Sequence, residues 1–252
     1  MRSLDVRRFP HVPRRAVKKG ETLGAWHRRW QAAEMRPVVV RGILATPYVA
    51  AEPDGRVHLD ALLAWAVANV FPYPIHYEDG VGLIPLPLML LWVSQDGLPL
   101  WAASDLLPQG EILRDRSYWH KRYPAAEAEW ARKRSANVRA GRWKEYRMPL
   151  YHIRVPEVRG IAIGVPGEIE RMLEVVTHVG KKPAHGYGRI VRWIVEPLNE
   201  DRETVLRAIL TERNVPVAYY EEVGLEARGR VRIGGWTPPY WYAPWHTTVI
   251  GP

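Results

Sequence analysis

A glycine-rich decapeptide in the second half of the chain combines the residue types that bind a phosphodiester backbone. Glycine permits positive φ and close approach of a ligand, so successive exposed backbone N–H groups could form a nest for an anion. Fixed cations add charge, and a tyrosine offers a ring on which a base could stack. A basic β-turn that leads into a strand is the alternative interpretation. We predict that this loop binds RNA through Gly180, Lys181, Lys182, His185, Gly186, Tyr187, Gly188 and Arg189.

The loop lacks the phosphate-binding motifs of nucleotide enzymes. A P-loop needs Lys and then Ser or Thr after its second glycine, whereas Gly186 is followed by Tyr187 and Gly188. A dinucleotide fingerprint lies between a strand and a helix, and this loop is expected to run from a helix into a strand. ATP and NAD chemistry are therefore disfavoured, and we expect no cofactor.

The composition is typical of a globular protein without disulfides or thiolate metal sites. The chain has 252 residues, of which 47% are hydrophobic, and it contains no cysteine. It carries neither an HExxH motif nor paired zinc-ligand spacing, so we expect no metal. The apolar run 81–93 contains Pro85 and Pro87 and is too short to span a bilayer. No apolar signal-peptide core follows the basic N-terminus. We therefore expect a cytoplasmic protein that does not bind membranes.

The positive charge is concentrated in two segments. The net charge is +9, yet residues 1–36 hold 10 Lys and Arg against 3 Asp and Glu, and residues 114–147 hold 11 against 4. The rest of the chain is mildly acidic. Local basic blocks of this kind indicate a polyanion partner, although each block alone could also be a solvated face.

Hydrophobic periodicity predicts two successive β-α-β units in an α+β fold. This order favours a ferredoxin-like arrangement, present as one unit or two. The expected elements are strands over 38–46, 161–165 and 190–195, helices over 58–67, 166–179 and 202–213, and a hairpin around Asp96-Gly97. The expected segments are a basic N-terminal arm (1–36), a first half (37–113), a basic aromatic helical insertion (114–150) and a second half (151–252).

The insertion interleaves aromatic residues with Arg and Lys. We expect a helix over 125–140, because acidic residues come early in it and cations late, as the helix dipole favours. The cations predicted to bind RNA here are Arg132, Lys133, Arg134, Arg139 and Arg142.

Aromatic residues near both ends of the chain are expected to pack on the core. Trp26 and Trp30 lie on one face of a short helix predicted over 21–34. Residues 236–246 hold five aromatics among three prolines. Such a segment is expected to be extended and packed on the body, with base stacking as the alternative.

Three stretches resemble the RAMP superfamily of CRISPR–Cas proteins. The loop Gly180–Gly188 resembles its glycine-rich signature. The run Val57-His58-Leu59-Asp60-Ala61-Leu62-Leu63-Ala64 and the run Gly235-Trp236-Thr237-Pro238-Pro239-Tyr240-Trp241 resemble the type IV subgroup. The resemblance covers about residues 36–252, and it is nearest to the Cas5-like backbone subunit.

The resemblance implies a ferredoxin-like, RRM-like core and a role in antiviral defence. Such a subunit grips the repeat-derived 5′ handle of CRISPR RNA and caps a filament of Cas7-like backbone subunits. It also contacts the large subunit of the type IV ribonucleoprotein complex near target DNA and its PAM. Subunits of this kind are generally not enzymes, so the resemblance implies no catalytic residue.

Two other functions remain open on the residues alone. A Cas6-like, metal-independent RNA endonuclease needs a base for the 2′-hydroxyl and a cation for the phosphorane. His185 beside Lys181 and Lys182 could supply both, with His58 or His178 as a partner. The other candidate is a basic scaffold protein outside CRISPR systems that coats nucleic acid with its N-terminal arm.

Overall fold

The computed structural model describes residues 21–71, 84–122, 139 and 144–252. Within these ranges the chain is mixed α+β, and every strand pair is antiparallel. The helices are α1 (Leu23–Gln31), α2 (Leu59–Val70), α3 (Pro166–Leu173), α4 (Arg202–Thr211) and α5 (Val217–Val223). The strands are β1 (Arg36–Leu44), β2 (Val57–His58), β3 (Leu90–Val93), β4 (Pro99–Trp101), β5 (Asp105–Gln109), β6 (Leu113–Lys121), β7 (Tyr146–Arg154), β8 (Glu157–Gly164), β9 (Ile190–Pro197), β10 (Val215–Pro216), β11 (Arg230–Gly234) and β12 (Thr247–Gly251).

A five-stranded sheet in the order β2-β5-β8-β1-β9 forms the centre of the molecule. Strand β1 pairs with β8 on one side, Val38 opposite Ala162, and with β9 on the other, Val40 opposite Val195. The two predicted β-α-β units therefore combine into one sheet. Of the four longest strands of this sheet, β1 and β5 come from the first half of the chain, and β8 and β9 come from the second. The chain after β9 does not repeat this arrangement, because β10, β12 and β11 form a separate three-stranded sheet.

Helices cover both faces of the central sheet, which explains the predicted apolar patterns. Val38 and Val40 of β1 are completely buried beneath α2 and α3. In α3, Ile169 and Met172 are completely buried on the same side. Side chains of α4 pack on the opposite face, against Ile163 of β8. Each fully buried side chain of this kind contributes about 1.5–3 kcal/mol.

Helix α1 docks on this core through its two tryptophans, as predicted. Thr22 accepts a hydrogen bond from the Ala25 amide and begins the helix. Trp26 and Trp30 are buried, and the Trp26 indole donates a 2.9 Å hydrogen bond to Glu168 at the start of α3. The part of the predicted basic arm that the structure describes is therefore joined to the folded body.

The hairpin predicted around Asp96-Gly97 is confirmed, with β3 paired to β4. The flanks of the predicted insertion 114–150 are strands: β6 and β7 continue β5 and β8 outward as a second, long hairpin. Strand β7 crosses the segment boundary expected after residue 150. The helix expected over 125–140 falls outside the described residues except for Arg139, as do Arg132, Lys133, Arg134 and Arg142.

No described helix has both the length and the apolar character required to cross a membrane. The C-terminal aromatic segment is only partly buried. Trp236 and Thr237 are buried, as expected for packing on the body, whereas Trp241 is 70% exposed.

Candidate nucleic-acid interface

The β6–β7 hairpin carries a group of exposed cations and aromatics. Its two strands pair continuously from Leu113 opposite Arg154 to Lys121 opposite Tyr146. Because side chains alternate between the two faces of a strand, this register divides the hairpin into an inner and an outer face.

The outer face presents positive charge around tyrosine rings. We call Arg116, Tyr118, Arg147 and Tyr151 the hairpin face; all four are exposed, Tyr151 by 64%. The Arg147 guanidinium lies 3.8 Å from the centre of the Tyr118 ring, and that of Arg116 lies 5.2 Å from it. No carboxylate of the described residues pairs with either arginine. The cation–π contacts hold two unpaired guanidinium groups beside rings that can stack with bases.

The inner face of the hairpin receives the glycine-rich loop. The Tyr187 hydroxyl and the Ser117 hydroxyl are 2.8 Å apart. The Lys182 ammonium lies 3.9 Å from the Trp119 ring centre, and the His185 ring centre lies 5.0 Å from that of Trp119. Three predicted site residues, Lys182, His185 and Tyr187, thus contact the hairpin, which is distant from them in the sequence.

The backbone of the loop is held by the protein itself. The amide of Lys181 donates to Val49 O at 2.7 Å, and that of Gly188 donates to Pro47 O at 2.7 Å. The amide of Arg189 donates to Thr46 Oγ1. The amides of His185 and Gly186 also donate within the loop. The predicted nest of exposed N–H groups is therefore wrong at these five positions, because a remote segment accepts three of these amides and carbonyl groups of the loop accept the other two.

Two loop glycines differ in what a side chain would meet. Gly186 and Gly188 both have positive φ, +81° and +72°. A Cβ at Gly186 would meet nothing within 4 Å, whereas one at Gly188 would overlap the carbonyl oxygen of Val179. We expect Gly186→Ala to lower the free energy of unfolding by about 1 kcal/mol and Gly188→Ala by at least about 2 kcal/mol. Urea denaturation of both variants measures the difference, and equal losses would contradict the packing role of Gly188.

The remaining predicted cations of the loop, Lys181 and Arg189, have no described contact with the hairpin. Lys181 is exposed and lines a cavity beside the C-terminal aromatic segment. Arg189 is exposed, and its backbone forms an antiparallel β-bridge with that of His178. The loop therefore contributes to two surfaces. Lys182, His185 and Tyr187 lie on the hairpin side, and Lys181 lies on the cavity side.

The two histidines proposed as catalytic partners of His185 have other contacts. His58 Nδ1 lies 2.7 Å from Asp105 Oδ1, and the His58 ring stacks on Tyr240 at 3.6 Å. Burial lowers the pKa of His58, but the hydrogen bond and charge of Asp105 outweigh it, so that this pKa is raised. His178 Nδ1 contacts the Thr177 hydroxyl.

The central sheet does not offer the stacking platform of an RNA recognition motif. That motif stacks bases on aromatics of its central strands. Here the face of β1 and β8 opposite α2 carries Arg41, Arg159 and Glu157 where it is not covered by α4. The Arg41–Glu157 ion pair, with a closest distance of 2.7 Å, occupies that surface. Of these two surfaces, the hairpin is the one on which exposed cations lie beside aromatic rings.

Sequence reasoning missed the hairpin face. The signal was present as cations and tyrosines an even number of positions apart, Arg114, Arg116 and Tyr118 in one run and Arg147 and Tyr151 in the other. Period-2 alternation is typical of strands. The basic and aromatic character of the segment was recognised, but only Arg132, Lys133, Arg134, Arg139 and Arg142 were predicted to bind RNA.

The chemistry of the site has to be inferred from its geometry. A scan against models of protein families and a search of curated proteins both give no match. The described residues contain no group of three His, Asp or Glu side chains that could hold a metal ion.

Proposed function

We propose that this protein is a non-catalytic RNA-binding subunit of a type IV CRISPR ribonucleoprotein. It grips the 5′ handle of the CRISPR RNA with the hairpin face, and the glycine-rich loop supports the hairpin from its inner side. The observation that carries this proposal is the position of Arg116 and Arg147, which have no carboxylate partner among the described residues, around Tyr118. Arginines position phosphates, and tyrosine rings stack unpaired bases, so together they suit single-stranded RNA.

The topology of the central sheet supports the RAMP interpretation. Its strands β1, β5, β8 and β9 alternate with α2 and α3 as strand-helix-strand-strand-helix-strand. In space their order is β5-β8-β1-β9, the second, third, first and fourth strands of that series. A ferredoxin-like unit has this chain order. Residues 36–197 are therefore proposed to form one ferredoxin-like unit, with the hairpin extending from its second and third strands.

The proposed partners follow from the resemblance. The subunit would cap a filament of Cas7-like backbone subunits and contact the large subunit, with target DNA near the PAM as a further contact. Its net charge of +9 suits an environment rich in nucleic acid.

RNA binding can be tested with the full chain. We expect purified protein to bind single-stranded repeat RNA in a filter-binding assay, more tightly than duplex RNA of equal length, because the hairpin face offers rings for unpaired bases. RNA recovered after expression with the other subunits should be enriched in the 5′ handle. Equal affinity for single-stranded and duplex RNA, with no handle enrichment, would favour a general nucleic-acid scaffold.

A Cas6-like endonuclease is the second candidate function. His185 and Lys182 both contact Trp119, which brings a potential base and a cation into one partly exposed cluster. We expect repeat RNA to remain intact during incubation with the purified protein. Cleavage at one site that disappears in His185→Ala but persists in His178→Ala would instead support the endonuclease.

A further inference from the structure

A cavity of about 650 Å³ lies between α2 and the C-terminal aromatic segment. It is on the side of the glycine-rich loop that Lys181 faces, whereas the hairpin contacts Lys182. Its walls are mainly apolar and aromatic, and they include Trp65, Trp101, Tyr240, Trp241 and Trp245. This volume is in the range of about 300–1,000 Å³ that is typical of small-molecule sites.

Among the described residues, two polar side chains of the cavity lining each have an atom for which no hydrogen bond is seen. Thr237 is 1% exposed, and its Oγ1 makes no hydrogen bond to any described residue. His58 uses Nδ1 to contact Asp105, and none of its described contacts uses Nε2. A buried hydroxyl without a partner costs free energy, so a ligand that pairs with it gains affinity. These atoms suit the hydrogen-bonding edge of a planar heterocycle.

A cation stands beside the same cavity. Lys181 is exposed, and no carboxylate of the described residues lies within ion-pair distance of it. Glu52 also lines the cavity, and Arg56 is paired with Asp54 and Asp105. Lys181 is therefore the lining cation that is free to bind an anion. The aromatic cleft and the polar atoms match the face and the edge of a nucleobase, and the Lys181 ammonium matches a phosphate.

We propose that this cavity binds one nucleotide. The base lies among the tryptophans, the hydrogen-bonding edge of the base faces Thr237 and His58, and the phosphate binds Lys181. The inference rests on the proposed nucleic-acid function for its ligand class, but it concerns a surface separate from the hairpin face. The nucleotide is either free or an unpaired residue of a longer strand, since both present a base joined to a phosphate. Base stacking on aromatic walls provides affinity without a metal or cofactor.

Titration of the full chain with nucleoside monophosphates tests the site. Tryptophan fluorescence should change saturably with at least one of AMP, GMP, CMP and UMP. Lys181→Ala should weaken that monophosphate about tenfold and leave the matching nucleoside unchanged, because only the phosphate contact is lost. Lys182→Ala removes the same charge from the neighbouring residue and should have no effect. Equal losses in both variants, or no saturable binding, would overturn the proposal.

Thr237→Val provides a second variant that preserves shape. It should weaken the monophosphate about fivefold. Its melting temperature should not fall, because the hydroxyl has no partner in the free protein. A lower melting temperature with unchanged affinity would show that Thr237 is structural and would overturn its role.

Competition separates the two sources of the nucleotide. A short single-stranded RNA that displaces the monophosphate supports a strand-borne nucleotide, and a failure to displace it supports a free one. Loss of RNA binding on mutation of the hairpin face reports on the proposed function alone. The pocket proposal is decided by the monophosphate titrations of the Lys181, Lys182 and Thr237 variants, whatever the hairpin variants show.

Discussion

Arg213→Ala is expected to lower the free energy of unfolding by about 3–5 kcal/mol, the usual cost of removing one partner of a buried ion pair. Arg213 is only 1% exposed, and its guanidinium lies 3.0 Å from the buried carboxylate of Asp60 on α2. Loss of the guanidinium leaves that carboxylate without its charge partner. Urea denaturation measures the loss.

The same guanidinium joins three parts of the chain. Its Nη1 donates to the carbonyl oxygens of Trp101 and Ala103 at 2.6 and 2.8 Å. Its Nη2 donates to the carbonyl oxygen of Trp236 at 2.6 Å. Arg213 therefore fixes the segment after β4 and the start of the C-terminal aromatic segment to α2. Its removal should also increase protease cleavage in residues 236–246, because that attachment is lost.

Arg207→Ala is the matched control for this experiment. Arg207 is on α4, and its side chain and that of its partner Glu203 are about three quarters exposed. An exposed pair of this type is worth about 0.5 kcal/mol or less. Tyr240→Phe removes the hydroxyl that donates to Asp60 and should cost about 1–2 kcal/mol. If Arg213→Ala were as stable as Arg207→Ala, the buried network would not be a principal source of stability.

The regular core could be predicted from the sequence, because burial gives each element a periodic apolar face. The patterns around Val38–Val40 and Ile169–Met172 indicated a strand and a helix, and both are present. Arg213 could not be predicted as buried. It is the last residue of the helix predicted over 202–213, and its acceptors are carbonyl groups that only the folded chain brings together.

The candidate site was predictable only in part. The glycines of the loop indicated a turn with positive φ, and Gly186 and Gly188 have it. The use of the loop amides was not predictable, because their acceptors Pro47 and Val49 come from a turn much earlier in the chain. The hairpin face was missed because its strands are exposed on both faces for most of their length. They therefore lack the alternation of apolar and polar residues from which a half-buried strand is predicted.

Replacing Arg116 and Arg147 with alanine together is expected to weaken binding of single-stranded RNA about hundredfold. Each arginine is taken to make one charge-assisted phosphate contact, worth about a factor of ten. When a phosphate contact is lost, binding of the RNA also releases fewer counterions. The slope of the logarithm of the binding constant against the logarithm of salt concentration should therefore become less steep by about 1.4 for two contacts. Filter binding between 50 and 200 mM salt, roughly the range over which such contacts are resolved, measures both quantities.

The double variant Arg207→Ala with Arg228→Ala removes the same charge from exposed positions elsewhere, on α4 and before β11. It should lower RNA affinity far less, because only the general attraction of the positive chain is reduced. Both double variants should keep the melting temperature of the parent, since all four arginines are exposed. Tyr118→Ala should weaken binding at every salt concentration without changing the slope, because a stacked base releases no counterion. An unchanged slope in the Arg116 and Arg147 variant would mean that the hairpin face does not contact the RNA backbone, and the proposed interface would have to be abandoned.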